Sequence, residues 1–344
     1  MDRQAIHMDQ GLAWCPEFRA TRSMSDYPSR KAQLVRALHL GETPPSARAA
    51  EILFHSILSF QGERWQVFGE PPAGLTSLLI LGRHALRKAG FGRDPVEEET
   101  GHRGASAQEQ TARGAPADPD GLDIPATSGG SDWLHVDAAC ARAAAPGARR
   151  LAAFLGRAGV RLGWRVRPVS GLWELFARGA LEEGAARARS LVGEREAAGV
   201  RRIATLEGKE AWLWRYFLPE VGVRHRFEVR DVLEQARRIE TDPRTFIHAG
   251  SFRARALDQC GLVNRLAARG GAANRLTIWQ RPICAEHEPV GIPPETERLI
   301  FEDAREEIRA SGCRRIVVFG ARAYGNLRAA GTAEEVIYFV EALA

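Results

Sequence analysis

The run "TFIHAGSFRARAL" (245–257) carries an apolar stretch into His248-Ala249-Gly250-Ser251 and then into a helical pattern. A hydroxyl beside an imidazole could be a nucleophile with its base, and the free N–H groups of such a turn could cradle an anion. There is no G-x-S-x-G elbow and no acidic residue that the sequence assigns to orient His248, so Ser251 reads first as the cap of a helix beginning at Phe252. Cys284-Ala285-Glu286-His287 has C-x-x-H spacing, half of a zinc site, which His248, Glu286 or Glu288 could complete. The plainer reading is an inert buried thiol beside a surface histidine. The turns "GARAYG" (320–325) and "LEGKEAW" (206–212) could offer backbone N–H groups to a phosphate. Neither has the Lys-Ser/Thr of a P-loop or a G-x-G-x-x-G pattern, and a connecting turn explains both.

Those turns need elements to position them. Candidate strands are 133–137, 163–169, 201–206, 245–249, 275–279 and 314–319, with amphipathic helical patterns at 143–158, 181–198, 252–268 and 295–311 between them. Alternation of this kind predicts parallel sheets in an α/β fold. Ahead of it, residues 29–39, 47–60 and 74–89 show helical periodicity without strand signals, and residues 93–131, poor in large apolar side chains, predict a flexible linker. The expected division is a helical module at 1–92, the linker, and two α/β halves at 132–243 and 244–344. In "EAWLWRYFLPEVGV" (210–223), Trp212 with Tyr216 and Leu213 with Phe217 share i,i+4 spacing, while Trp214 and Arg215 fall on other faces. Core packing is the first expectation for this segment, and an exposed ring anchoring a subunit contact is the second.

The totals narrow the classes. The chain has 344 residues, 44% of them hydrophobic and 26% charged, with 48 basic residues against 43 acidic ones and a net charge of +5. The basic residues are mostly arginines spread along helical patterns, without a basic run, so no nucleic-acid partner is expected. Five cysteines form no C-x-x-C pair, and Met1-Asp2-Arg3-Gln4 opens no apolar signal segment, which predicts a cytoplasmic protein. No apolar stretch is long enough to span a bilayer, so membrane association is expected only peripherally, through a partner.

The halves also echo one another. Val136 and Ile247, Cys140 and Ser251, Arg142 and Arg253, Leu151 and Leu262, Leu155 and Leu266, and Gly159 and Gly270 share an ungapped offset of 111, and "AAGVRRIAT" (197–205) matches "ASGCRRIVV" (310–318) at 113. Two such halves after a helical module resemble the cysteine-rich (CCG-domain) iron–sulfur subunits, among them the glycolate oxidase iron–sulfur subunit and the heterodisulfide reductase B and D subunits. "IHAGS" stands at a His-Asp-Pro-Cys turn, "PICAEH" (282–287) at a Cys-Cys-Gly turn, and "VVFGARAYGNL" (317–327) at a strand ending in Cys-Pro-x-Cys. The first half has "VDAAC" ending on Cys140, "PVSG" (168–171) and "ATLEGKEAW" at the same places. Cys15-Pro16 resembles the end of a C-x2-C-x2-C-x3-C-P run whose other positions hold Gly11, Met8 and Ala5, and Ser56, Ser59, Gly62 and Gln66 fall at the spacings of a second run.

The resemblance implies an electron-transfer complex subunit, with His248 and Cys284 as the retained cofactor-side residues and Cys284 with His287 as the remaining metal-ligand pair. A ferredoxin-type cluster needs about four thiolates, and serine is a poor substitute. The expectation is therefore a degenerate member without a cofactor: a non-catalytic scaffold in an oxidoreductase complex, partnered by a flavoprotein or iron–sulfur subunit. The alternatives are a subunit that still binds an iron–sulfur cluster or metal through Cys140, Cys284 and partner-supplied ligands, and a small-molecule binder or enzyme using a cleft between the halves.

Overall fold

The computed structural model describes residues 13–65, 74–92, 122–169, 171–286 and 291–344. Its principal helices are α1 (Pro16–Thr21), α2 (Pro28–His39), α3 (Ala47–Phe54), α4 (Leu75–Leu86), α5 (Ala138–Ala144), α6 (Ala148–Arg157), α7 (Leu172–Ala177), α8 (Leu181–Ala197), α9 (Gly208–Trp212), α10 (Cys260–Gly270), α11 (Pro294–Ala310) and α12 (Ala321–Ala329). Its strands are β1 (Asp132–His135), β2 (Arg202–Thr205), β3 (Glu228–Asp231), β4 (Thr245–His248), β5 (Arg315–Val318) and β6 (Glu335–Tyr338). They form two parallel sheets ordered β1-β2-β3 and β4-β5-β6, so the chain is α/β, as the alternation predicts. The middle strands carry the least polar sequences, Ile203-Ala204-Thr205 and Ile316-Val317-Val318, all buried, as a strand covered on both faces requires.

Two expected strands are absent from the sheets, and two unexpected ones are present. Residues 163–169 run beside β1, but Pro168 has no N–H to give, and only Gly163 and Val169 donate, to Asp132 O (2.9 Å) and Val136 O (2.8 Å). At 275–279, side-chain amides replace a ladder: Asn264 bonds both backbone groups of Leu276, and Gln280 bridges Ala249 N and Ile247 O beside β4. Such pairing covers the edge of β4 without lengthening the sheet. The strands that the periodicity does not predict, β3 ("EVRD") and β6 ("EVIY"), are short edge strands with polar starts.

The same order of elements occurs twice, but the ungapped offset of 111 does not describe it. β1 and β4 begin 113 residues apart (132 and 245), as do β2 and β5 (202 and 315). Along the next helices, burial aligns Leu151, Phe154 and Leu155 with Val263, Leu266 and Ala267, and left-handed Gly159 with left-handed Gly271, an offset of 112. Residues between strand and helix therefore differ in number, and Arg253 is buried whereas Arg142 is exposed. The helical pattern at 252–268 is also broken, by a left-handed Asp258 between a π-turn (Phe252–Ala256) and α10. In the aromatic run, a second π-turn (Leu213–Phe217) shifts the register, so Trp212, Trp214 and Phe217 are all buried and Tyr216 is 52% exposed. Trp214 thus belongs to the core, against the i,i+4 reading.

By packing, the described residues fall into two units, one built from 13–92, 173–184 and 281–306, the other from 122–172, 185–280 and 307–344. Segments 173–184 and 281–306 thus pack with the N-terminal helices, although the sequence boundaries put them in the α/β halves. Of the expected linker, 93–121 lies outside the described residues, and in 122–131 Leu122 and Ile124 are buried. No helix among the described residues is long and apolar enough to cross a membrane.

The first unit, helical up to Phe91 among the described residues, is organised around loop 55–61, where the helical pattern expected to reach residue 60 stops at Phe54. Leu58 and Phe60 both adopt left-handed backbone (φ 54° and 57°), which costs a non-glycine residue about 1–3 kcal/mol. Buried ions hold the loop. Glu17 Oε1 accepts from Ile57 N (2.7 Å) and Ser56 Oγ (3.1 Å), and Lys31 donates to His55 O. The fully buried Arg83 donates to Leu53 O (3.0 Å), Ser56 O (2.7 Å) and Ala177 O (2.5 Å). Gly82 allows this approach, because a Cβ there would lie 2.5 Å from a Val35 methyl. Burial pulls the Arg83 guanidinium down to about 9, still charged at neutral pH.

Replacing Arg83 by Met would strand several buried carbonyls, so it is expected to cost about 3–5 kcal/mol. Lys at this position should recover only part of that, since one ammonium cannot reach all the carbonyls that Nε, Nη1 and Nη2 of the guanidinium serve. Denaturant unfolding of the three proteins checks the order.

Candidate functional site

Parallel sheets deliver their following residues to the carboxyl edge, where ligands of open α/β folds bind. In the second unit that edge is filled with the protein's own charges. Arg253, in the π-turn after β4, pairs with Asp231 at the end of β3 (2.5 Å) and donates to Leu206 O after β2 and to Gln259 Oε1 (2.8 Å). Its guanidinium lies over the stacked rings of Phe319 and Phe339, with centroid distances of 5.7 and 5.6 Å. Both ions of the pair are essentially inaccessible to solvent.

A second set follows β1, β2 and β6. Asp137 caps α5 by accepting from Cys140 N (2.7 Å), and its other oxygen takes Lys209 Nζ (2.7 Å). Glu207 lies 3.7 Å from the same ammonium, and its Oε1 accepts from Ala321 N, the first N–H of α12. Tyr338 Oη, at the end of β6, lies 3.5 Å from Glu207 Oε1 and 3.4 Å from Cys140 Sγ. Burial raises Asp137, but Lys209 and the Cys140 N–H outweigh it and hold the carboxyl down at about 2. Burial pushes Glu207 up to about 7, opposed by Lys209 and reinforced by Asp137.

A third cluster is confined to the first sheet. Arg195 donates to His135 Nδ1 (3.0 Å), while Trp214 Nε1 points at His135 Nε2 (3.4 Å), which also lies 2.7 Å from Glu210 Oε2. Arg195 also stacks against Trp133 and Trp214. All three polar side chains are buried, and the cluster ties β1 to α8 and α9.

The residues singled out from sequence are placed as follows. His248 is buried at the last position of β4 in the second unit, whereas Cys284 belongs to the first unit. His287 and Glu288 lie outside the described residues, as do Gly11, Met8, Ala5 and Gln66. Ser251 makes no side-chain cap: it already has helical backbone, and its Oγ accepts from Arg255 (2.8 Å). Cys284 packs against Ile57, Ile292 and Ile300, and Glu286 Oε1 accepts from Ile283 N (3.3 Å). At "GARAYG", Glu207 occupies the anion position expected of a phosphate. The sequence pairs Arg253 with Arg142 in the repeat but assigns no site role to Arg253, Asp231 or Tyr338. A charged residue at the last position of β3 and another in the turn after β4 are the signals that could have found the first two.

The donor set does not fit an iron–sulfur cluster. Burial raises the Cys15, Cys140 and Cys284 thiols well above their ordinary value, with Glu17, Glu207 and Glu297 respectively adding to it. These are neutral thiols beside carboxylates, the reverse of the electropositive setting that makes a thiolate ligand. Among the described residues no group of three or more His, Cys, Asp and Glu side chains could hold a metal ion. In the native protein a thiol reagent is therefore expected to label Cys260 and Cys313, which are partly exposed, and to reach Cys15, Cys140 and Cys284 only on unfolding. Comparison with protein-family models, curated proteins and solved structures finds no match to this chain.

Proposed function

We propose that this chain is a non-catalytic scaffold subunit of an oxidoreductase complex, built on the frame of a CCG-domain iron–sulfur subunit whose cluster positions have passed to side-chain pairs. The observation that carries the reading is the state of the strand-end turns. In and beside the turns where the resemblance places thiolates, Asp137 and Glu207 share the Lys209 ammonium, Arg253, two residues past Ser251, is paired with Asp231, and Cys140 is left as a thiol against Tyr338. Such turns join elements firmly and leave neither a free ligand nor a free nucleophile among these residues. What remains for the chain to offer is surface, to a flavoprotein or an iron–sulfur subunit that supplies the redox chemistry. Tyr216, the exposed ring of an otherwise buried aromatic run, is the residue best suited to such a contact.

The test is anaerobic purification from the native host, with iron, sulfide and co-purifying chains measured together. Colourless protein bound to a flavin- or cluster-bearing subunit is the expected result, and Tyr216→Ala is expected to loosen that association while leaving the unfolding midpoint unchanged. Brown protein with stoichiometric iron and sulfide, or a chain that purifies with no partner, would overturn the proposal.

A further inference from the structure

Asp137, Lys209 and Glu207 place two carboxylates on one ammonium in a site from which solvent is almost excluded. The elements packed around them add charges of both signs. Glu210, one turn along α9, is a further acid, and burial raises the Cys140 thiol of α5 and the Tyr338 phenol of β6 so that both stay uncharged. Arg322 of α12 acts on Asp137, and Arg253 acts on Tyr338 while committed to Asp231. With both carboxylates ionised, the triad holds one negative charge more than its single ammonium offsets, and Arg322 adds its charge on the Asp137 side, so Glu207 carries the excess. Excess charge in such a place is relieved by binding a proton.

The geometry says where the proton goes. Asp137 holds Lys209 at 2.7 Å and also accepts the Cys140 N–H, so it is the better-served anion. Glu207 has the ammonium only at 3.7 Å, on Oε2, while its hydrogen bonds from Ala321 N and Tyr338 Oη fall on Oε1. Glu207 also makes the connection between the sheets: it leaves β2 of the first and receives the first N–H of the helix that follows β5 of the second. We propose that Glu207 is a proton-operated joint between the two sheets: with one proton held in the triad the buried charges balance, and when it leaves, the buried excess charge costs the fold more than the stronger Ala321 N–H bond returns.

The sign follows from linkage. Glu207 has a folded value raised to about 7 from the ordinary 4.5, so the folded state binds the extra proton between these limits. Stability is highest toward the acid end of that window, falls as pH rises through it, and stays at the lower level above it. The Glu207 share of that fall is about tenfold in the unfolding constant per pH unit.

The test uses the full chain and its Asp137→Asn and Glu207→Gln variants, with ¹³C-labelled glutamate and denaturant unfolding from pH 5 to 8. One glutamate carboxyl is expected to titrate near neutrality in the unaltered protein and to vanish from the spectrum in Glu207→Gln. That variant is expected to be more stable than the unaltered protein at pH 8 and to lose the tenfold-per-unit slope. Asp137→Asn keeps a good cap and leaves one carboxylate for one ammonium, so it is expected to move the Glu207 midpoint down toward the ordinary range. If every glutamate titrates in the ordinary range, if Glu207→Gln keeps the slope, or if Asp137→Asn leaves the midpoint in place, the proposal is wrong.

Discussion

The Arg253–Asp231 ion pair is the constraint on which the second unit depends. Asp231 ends the edge strand of one sheet, Arg253 stands in the first turn after the leading strand of the other, and both are buried beyond the reach of water. Two charges in such a place cannot be left apart. Removing one partner from a buried pair costs about 3–5 kcal/mol, because the other keeps its charge without its counter-ion. The two sheets are therefore joined where parallel strands finish, the edge that α/β folds usually leave open for a ligand. The stacked Phe319 and Phe339 rings, the Leu206 carbonyl and Gln259 use the remaining faces and protons of the guanidinium.

The same solution recurs along that edge with different residues. Asp137 supplies the anion at the start of α5, Glu207 supplies it at the start of α12, and Lys209 lies between them. In the first unit, Arg83 and Glu17 do comparable work at Ser56 and Ile57 of loop 55–61, which also holds the left-handed Leu58 and Phe60. In each case a turn that could present backbone groups to a bound ion is satisfied from within the chain. That is why the buried cysteines sit among carboxylates and keep their protons, and it is the physical content of the scaffold reading.

Much of the fold was legible in the sequence. Alternating periodicity located the middle strands β2 and β5 and the leading strands β1 and β4, because buried parallel strands must be apolar throughout. It missed β3 and β6, whose polar starts suit an edge, and it promoted 163–169 and 275–279, where Pro168 and side-chain amides stand in for a ladder. The sequence offset of 111 does not match the element spacing, which is 113 between the strands and 112 along the helices that align by burial. Ser251 looked like a cap because serine caps well, but Arg255 claims its hydroxyl and Asp137 does the capping in the other sheet. The ion pairs themselves were not legible: Asp231 and Arg253, like Glu207 and Ala321, meet only through the packing of two sheets.

A double-mutant cycle between Asp231 and Arg253, read by denaturant unfolding at neutral pH, tests the central claim most directly. Asp231→Leu and Arg253→Met should each cost about 3–5 kcal/mol, and the double variant should cost no more than either alone. Additive losses would contradict the claim that this pair joins the sheets.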